Sequence, residues 1–593
     1  MSDKSIKKIP YGISDYERIA QQNYYYVDKT EYLEVIEKAG DYLFFIRPRR
    51  FGKTLLLSMM EVYYDVYYKD RFEEFFKGSW IYDNSTNERG KYLTLSFNFS
   101  EVEPAADRME MSFLNHIQGR ALAFLRKYPD YLIEDLEYFR HTIEESRSAS
   151  DILATINNLC KASHRKLYVF IDEYDNFANT VLSTAGESTY QDLTHGEGFF
   201  RSFFKVLKGG ASGSGAPITR LFISGVSPIT IDDVTSGFNI GENISIEPQF
   251  NCLLGFTGND VNRMIDYYRG AGILHFSSEY LLEMMNQWYG NYLFCEDARE
   301  RLYNSDMVLY FLKHCFNKKK LPREMVDRNV RMDYDKLRHL IIVDKRGRKE
   351  TNGNFSQLRK IIEEGEINER LIVGFPLAEM SEPEKFVSLL FYFGLLTIKD
   401  EKEGRILFEI PNQTIKSLYY DYIIRISNEV GLTTIHGGKL DALLQGMAFR
   451  GEWESFFKYL SENLRKSASL RDFIREEKVI QGFLLAWLGI SDYFIVHSEK
   501  ELNRGYTDIV LEPFLPRYPD MRYSYLLEIK FIKGKELKGK IEKEKLQKLK
   551  AEAEEQLKRY ALDEKLHKII GKTTLIKLAA IFSESELIDI SRI

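Results

Sequence analysis

Residues 45–57 read FIRPRRFGKTLLL, and the Gly52-Lys53-Thr54 triplet inside them joins two runs that favour different secondary structures. Upstream, YLFFI (42–46) is short, apolar and aromatic, which predicts a strand buried on both faces. Downstream, LLLSMMEVYYDVYY can bury one face as a helix. A buried strand that turns tightly into a helix restricts the N-terminal half to an α/β architecture. In such a turn the N–H groups from Phe51 through Gly52 to Thr54, with Arg50 beside them, lie at a helix N-terminus and form a cradle for phosphate. Lys53 would reach terminal phosphates and the Thr54 hydroxyl would ligate magnesium. The usual loop opens on a glycine five places before Gly52. Arg47 stands there, and a side chain restricts the backbone angles a glycine would allow. Taken alone, the triplet is equally well explained as a basic turn before a helix.

A second segment favours the nucleotide reading. KLYVFIDEYDN (166–176) is an apolar run ending in carboxylates, as a buried parallel strand ends at a catalytic edge. Asp172 is placed to hold magnesium, directly or through water, and Glu173 to polarise the attacking water. A further strand-like run, KYLTLSFNF (91–99), lies between the two segments. The glycines and serines of KGGASGSGAP (208–217) mark a mobile loop, either a lid or a connector.

KIPYGISDYERI, YYYVDKTEYL, RPRRFGKTLLLSMM and FIDEYDN, in that order, resemble the AAA-ATPase-like family of bacterial proteins, in which RPRRFGK is the usual form of the loop. The resemblance covers roughly the first half of the chain. It implies ATP and Mg²⁺ as ligands, and relatives that often form rings imply a homo-oligomer. It also makes RLFISGVSP (220–228) the strand that carries a polar residue toward the γ-phosphate, with Ser224 and Ser227 both eligible. WYGNYLF (288–294) matches a later family segment, with Leu293 where an arginine is frequent. No arginine finger is assignable.

A chain of 593 residues exceeds one hydrophobic core, so several domains are expected. We place an NTPase core at 1–255, a helical lid at 256–345, a helical and winged-helix-like connector at 346–465 and a further domain at 466–593. The lid rests on the helical spacing of GNDVNRMIDYYR and SEYLLEMMNQWY; the winged outline rests on EKFVSLLFYFGLLTIKDEKEGRILFEIPN. The turn KDEKEGR balances acidic and basic residues, which suits a structural hinge at least as well as a DNA contact. Cys160, Cys252, Cys295 and Cys315 are dispersed, which suggests neither a zinc site nor a disulfide framework and fits a reducing, cytoplasmic setting. The most apolar stretch, 386–398, is too short to span a bilayer, so no membrane role is expected.

The C-terminal segment predicts the order α, β, β, β, α, β: a helix over 470–488, strands DYFIVHS, YTDIVLEP and YSYLLEIKFI, a helix over 540–560, and a last strand TLIKLAAIF. Glu528 and Lys530 are two apart and share a strand face, and Asp508 on the preceding strand can meet them. Two carboxylates suit a magnesium ion, and a lysine beside them can orient water or stabilise charge on a phosphodiester. Order and residues resemble the PD-(D/E)XK nuclease superfamily, a restriction-endonuclease-like fold, with Thr507 in place of the name-giving proline. That resemblance carries Glu477 over to the first helix's acidic residue and Gln556 to a glutamine on the later helix. It implies Mg²⁺, or Mn²⁺ in its place, and a nucleic-acid substrate, taken as DNA. From residue 530 to 550 nine lysines face three glutamates, a surplus of +6 in a chain whose net charge is −6. Such a patch would attract a phosphate backbone, although a solvated helix face has the same composition. The combined expectation is an ATPase coupled to a metal-dependent nuclease acting on DNA, in defence against or processing of foreign DNA; its rival is a nucleotide-switched binding or signalling protein whose nuclease fold does not cut.

Overall fold

The computed structural model describes residues 6–593 except 104, 106, 133–134, 177–197, 229–239, 319, 328–329, 331–341, 346–347, 352, 376–381, 467–476, 504, 533–539 and 584–585. The chain divides into two compact units, one of residues 1–339 and 368–412, the other of 340–367 and 413–593.

The first unit is built on a parallel five-stranded sheet. Its strands are β1 (Tyr42–Ile46), β2 (Leu93–Asn98), β3 (Leu167–Asp172), β4 (Ile218–Gly225) and the short β5 (Glu242–Asn243), in the order β2-β3-β4-β1-β5. Every residue of β3 is buried, as is all of β1 after Tyr42, which explains why neither strand shows alternation in sequence. Because β4 lies between β1 and β3, the loop after β1 and the carboxylates after β3 flank the end of β4. Helix α1 (Lys53–Tyr64) leaves the loop, with Gly52 as its N-cap at φ 102°. Helix α2 (Phe199–Ala211) absorbs the first residues of the Gly/Ser-rich stretch, and only a short turn with Gly213 and Gly215 at positive φ connects it to β4. That stretch is therefore a helix end and a connector.

Three helices follow the sheet: α3 (Gly258–Gly270), α4 (Ser278–Tyr289) and α5 (Ser305–Lys318). A capping box between Thr257 and Asp260 fixes the start of α3, and Lys29 bonds Asp260 at 3.0 Å. The winged outline is present as helix α6 (Pro383–Tyr392) and the antiparallel pair β6 (Thr397–Lys402) and β7 (Arg405–Glu409). Its turn places Glu403 and Gly404 at φ 57° and 71°, as a tight right-twisted hairpin requires. This segment packs within the first unit: the Leu293 N–H donates to Thr397 Oγ1 at 2.7 Å and Asn291 Nδ2 to Glu409 Oε1 at 3.0 Å. The expected connector at 346–465 is thus divided, because the hairpin spends its polar groups on WYGNYLF while the helices after residue 412 belong to the second unit.

The second unit holds a mixed sheet of β8 (Phe494–Leu502), β9 (Gly505–Pro513), β10 (Tyr523–Ile532), β11 (Thr574–Ser583) and β12 (Glu586–Arg592), in chain order. The β10–β11 pair is parallel and the other three pairs are antiparallel. Helix α7 (Glu477–Leu488) precedes the sheet and α8 (Lys540–Tyr560) crosses between β10 and β11, followed by the short α9 (Glu564–Ile570). The expected αβββαβ order is present, with α9 and the edge strand β12 added. Ala553, Leu557 and Tyr560 of α8 join Leu502, Val510, Leu526 and Ala579 in one core. Leu546 and Leu549, nearer the start of α8, are only half-buried.

Candidate functional site

The loop after β1 keeps its shape without the leading glycine. Arg47 is not among the residues with positive φ; Arg50, at φ 67°, and Gly52 carry the left-handed turns. The Arg47 side chain points inward and is 2 % exposed. Its guanidinium lies 4.6 Å from the Phe45 ring and 4.4 Å from the Phe294 ring, and donates to the carbonyls of Ile46 (3.1 Å), Phe250 (3.0 Å) and Ser245. Burial pushes its pKa down to about 9. Arg47 therefore braces the loop from beneath, and Phe294 of WYGNYLF forms half of the aromatic clamp. Nothing in the residue string signalled that role beyond the departure from glycine itself.

Lys53 is buried, and its ammonium donates to the carbonyls of Arg47 at 2.9 Å and Pro48 at 3.0 Å. Burial lowers its pKa, partly offset by Asp172 and Glu173. Thr54 Oγ1 donates to Asp172 Oδ2 at 2.6 Å, and Ser224 Oγ donates to Asp172 Oδ1 at 2.5 Å. Thus Ser224 reaches Asp172, while the Ser227 N–H donates to Asp175 Oδ2 at 2.8 Å. Asp175, which the sequence reading passed over, also takes the Val226 N–H at 3.1 Å and so fixes the chain leaving β4. Its only advance signal is being the third acid of DEYD. Glu173 adopts φ 51°, a left-handed conformation that is costly for a residue with a Cβ and that clusters at functional sites. Burial raises its pKa, with Lys53 opposing the shift.

Lys53, Thr54 and Glu173 border a cavity of about 590 Å³ lined by Arg49 through Leu56, with Ile13, Val27, Leu254 and Leu309 on its apolar side. That size and lining suit a nucleotide-sized ligand. Helix α5 also contributes to its wall: Arg50 pairs with Asp306 at 2.9 Å, and Ser305 Oγ donates to the Arg50 carbonyl at 3.2 Å. The hydroxyl and carboxylate oxygens of Thr54 and Asp172 are the hard donors magnesium takes.

In the second unit, β9 and β10 pair through Leu511 and Tyr525, Val510 and Leu526, and Ile509 and Leu527. One residue further along, the Asp508 carboxylate takes the Ile529 N–H at 2.5 Å, and the Asp508 carbonyl accepts from Gln481 of α7 at 3.2 Å. Glu528 is 2 % exposed, and Lys530 donates to its Oε1 at 2.9 Å. Beside Glu528 on β11 stands Ala579, whose small side chain leaves room. The structure thus brings Asp508, Glu528 and Lys530 together where the β9–β10 pairing ends. Gln556 Oε1 is buried without a hydrogen bond among the described residues, a polar atom suited to a ligand. One turn later Tyr560, whose helical spacing with Ala553 and Leu557 predicts a packed face, also donates to the Tyr506 carbonyl at 3.1 Å and holds the start of β9. Glu477 opens α7, but its side chain lies outside those described.

Among the described residues no group of three or more His, Cys, Asp or Glu gathers around a common point. Two carboxylates and nearby carbonyls still fit a hard divalent cation that keeps waters and substrate oxygens as its other ligands. Of the lysine run, residues 533–539 lie outside the described residues, Lys530 is engaged by Glu528, and Lys550 pairs with Asp589 at 3.2 Å. These pairings reduce the expected positive surplus. Among the described residues no helix is long and apolar enough to cross a membrane.

Residues 10–235 match the family profile described as Predicted AAA-ATPase, and residues 475–591 match the PD-(D/E)XK nuclease superfamily. An uncharacterized protein in the vnfD 5′ region of Azotobacter chroococcum mcd 1 is 27 % identical over 319 residues, covering 53 % of this chain and 53 % of that protein. The chain thus spans about half the length of that curated relative. The structure of the Aeropyrum pernix ORC2 protein in ADPNP and ADP complexes overlaps 70 % of this chain and 98 % of its own at 13 % identity, with a TM-score of 0.33. That likeness is too loose to carry an argument.

Proposed function

From a chain whose residues 10–235 are AAA-ATPase-like and whose residues 475–591 are of the PD-(D/E)XK nuclease superfamily, we propose an ATPase coupled to a metal-dependent nuclease acting on DNA in the cytoplasm, with foreign DNA as its target. The observation that carries the reading is the meeting of Asp508, Glu528 and Lys530 where the β9–β10 pairing ends, an arrangement that a fold kept only for binding would have no need to retain.

In the first unit, Lys53 exchanges the Arg47 and Pro48 carbonyls for the terminal phosphates of ATP. Thr54 and Asp172 are the residues that would hold Mg²⁺, which neutralises the phosphate charge when bound. Glu173 accepts hydrogen bonds from the attacking water, and Ser224 holds the Asp172 carboxylate in position. In the second unit, Asp508 and Glu528 would hold Mg²⁺ or Mn²⁺, which supplies Lewis acidity toward a phosphodiester. Lys530, at 2.9 Å from Glu528, stabilises charge on the phosphate or orients the water.

The test is cleavage of labelled linear, circular, single-stranded and RNA substrates with Mg²⁺ or Mn²⁺, with and without ATP. Products lost in Asp508→Ala and altered in Lys53→Ala support the coupled nuclease. ATP hydrolysis without cleavage of any substrate favours the nucleotide-switched binding protein.

A further inference from the structure

Large aromatic side chains on a strand ordinarily turn into a core, and Tyr506 does not: it is 64 % exposed. It lies two residues before Asp508 on β9, so both project from the same face roughly 7 Å apart. Burial alternates accordingly, with Thr507 and Ile509 buried, Tyr506 exposed and Asp508 half-buried. The backbone beneath the ring is firmly held. Buried Tyr560 donates its hydroxyl to the Tyr506 carbonyl at 3.1 Å, and Arg559 donates to that hydroxyl at 3.2 Å. Asn503, at the β8–β9 turn, donates its side-chain amide to the Arg559 carbonyl at 2.8 Å and its N–H to Asp563 at 2.7 Å. A Cβ on Gly505 would come within 2.9 Å of Arg559 Nη2, so the guanidinium lies directly against Gly505, the residue before the ring. Opposite Tyr506 on β8 stands exposed Glu501, whose charge disfavours a phosphate over the ring and leaves that face to an uncharged base.

We propose that Tyr506 is a stacking platform for an unpaired nucleobase beside the Asp508–Glu528 centre, with Arg559 contacting the adjoining phosphate, so that the preferred substrate is single-stranded DNA. The proposal rests on the nuclease reading above. Every base offers a π face, so the platform tolerates sequence, whereas a duplex keeps its bases stacked on one another and cannot use it. The rigid support beneath an exposed ring lowers the ordering cost of binding.

The test uses the full chain and a fluorescein-labelled single-stranded oligodeoxynucleotide, with its matched duplex as control, binding being read by anisotropy in EDTA so that nothing is cut. Tyr506→Ala should weaken single-strand binding roughly 10- to 100-fold and duplex binding less than about threefold, while Tyr506→Trp retains the affinity. With Mg²⁺ added, the Tyr506→Ala loss on a single strand should appear in KM more than in kcat. Unchanged ATP hydrolysis and thermal unfolding of Tyr506→Ala establish that the variant is folded. Equal loss on single strand and duplex, or single-strand binding by Tyr506→Ala as tight as wild type, overturns the assignment of Tyr506. Failure of the nuclease reading is distinct: the wild-type chain then binds DNA or leaves it unbound, but cuts neither form with Mg²⁺ or Mn²⁺.

Discussion

The nucleotide pocket and the nuclease-fold edge are built from the same kinds of residue, yet they store their chemistry differently. At the end of the parallel sheet, Lys53, Thr54, Asp172 and Ser224 are bonded to one another or to the loop, so a phosphate must displace protein contacts to enter. At the mixed sheet, Asp508 is half-buried beside a 64 % exposed tyrosine and accepts the Ile529 N–H, while Lys530 donates to Glu528. The first arrangement suits a switch, whose resting bonds are exchanged when ligand arrives. The second suits a surface that stands ready for a polymer. Asp508→Ala should therefore remove cleavage by roughly a thousandfold or more while leaving ATP hydrolysis intact, because it subtracts a carboxylate proposed to hold the metal, worth several kcal/mol. Lys53→Ala should do the converse to hydrolysis, and its effect on cleavage measures the coupling. If both variants lose both activities equally, the contrast between switch and standing surface fails.

Arg47 offers a sharper test of how the closed site is held. Replacing it with the glycine of the usual loop should destabilise the first unit by about 3 kcal/mol, since two ring contacts and three carbonyl acceptors lose their partner. Thermal unfolding monitored in Arg47→Gly would show it. A variant at least as stable as wild type would mean that the arginine does not brace the loop. A smaller effect is expected from Ser224→Ala, which removes one hydrogen bond to a carboxylate and should slow ATP turnover about tenfold.

The contrast also explains what could be read from the residues. Buried strands such as YLFFI and LYVFID announce themselves by continuous apolarity, and GKT and DE at their ends followed directly. Asp508, Glu528 and Lys530 were legible for a different reason: strand periodicity fixes which residues share a face. The bracing role of Arg47 was not legible, because its partners Phe294 and the Ser245 and Phe250 carbonyls lie some two hundred residues away. The choice of Ser224 over Ser227 as the contact of Asp172 depends on where β4 ends, and periodicity does not determine strand ends. The division of the winged segment from the helices after residue 412 was invisible for a related cause: hydrogen bonds to Asn291 and Leu293, not composition, assign the hairpin to the first unit.

The smallest effect on stability is expected at Glu173, and it bears on whether the closed site is strained for function. Its carboxyl is half-buried and its folded-state pKa is raised by desolvation, so the native protein binds this proton more tightly than the unfolded chain does. Its contribution to stability is accordingly fullest below the ordinary carboxylate range and is lost as pH rises through the raised value. Desolvation disfavours the ionised form of the residue, and φ 51° adds a backbone cost. Glu173→Gln removes the first cost but keeps the second. It should raise stability by about 1 kcal/mol near pH 7.5 while abolishing most ATP turnover, and the gain should vanish at pH 4. Wild-type turnover should fall as pH drops through a midpoint above the usual carboxylate range, because the unprotonated form is the one that accepts the water's proton. A gain in stability that persists at pH 4 would trace the effect to packing instead of charge, and would remove the electrostatic half of the argument that this pocket is strained for function.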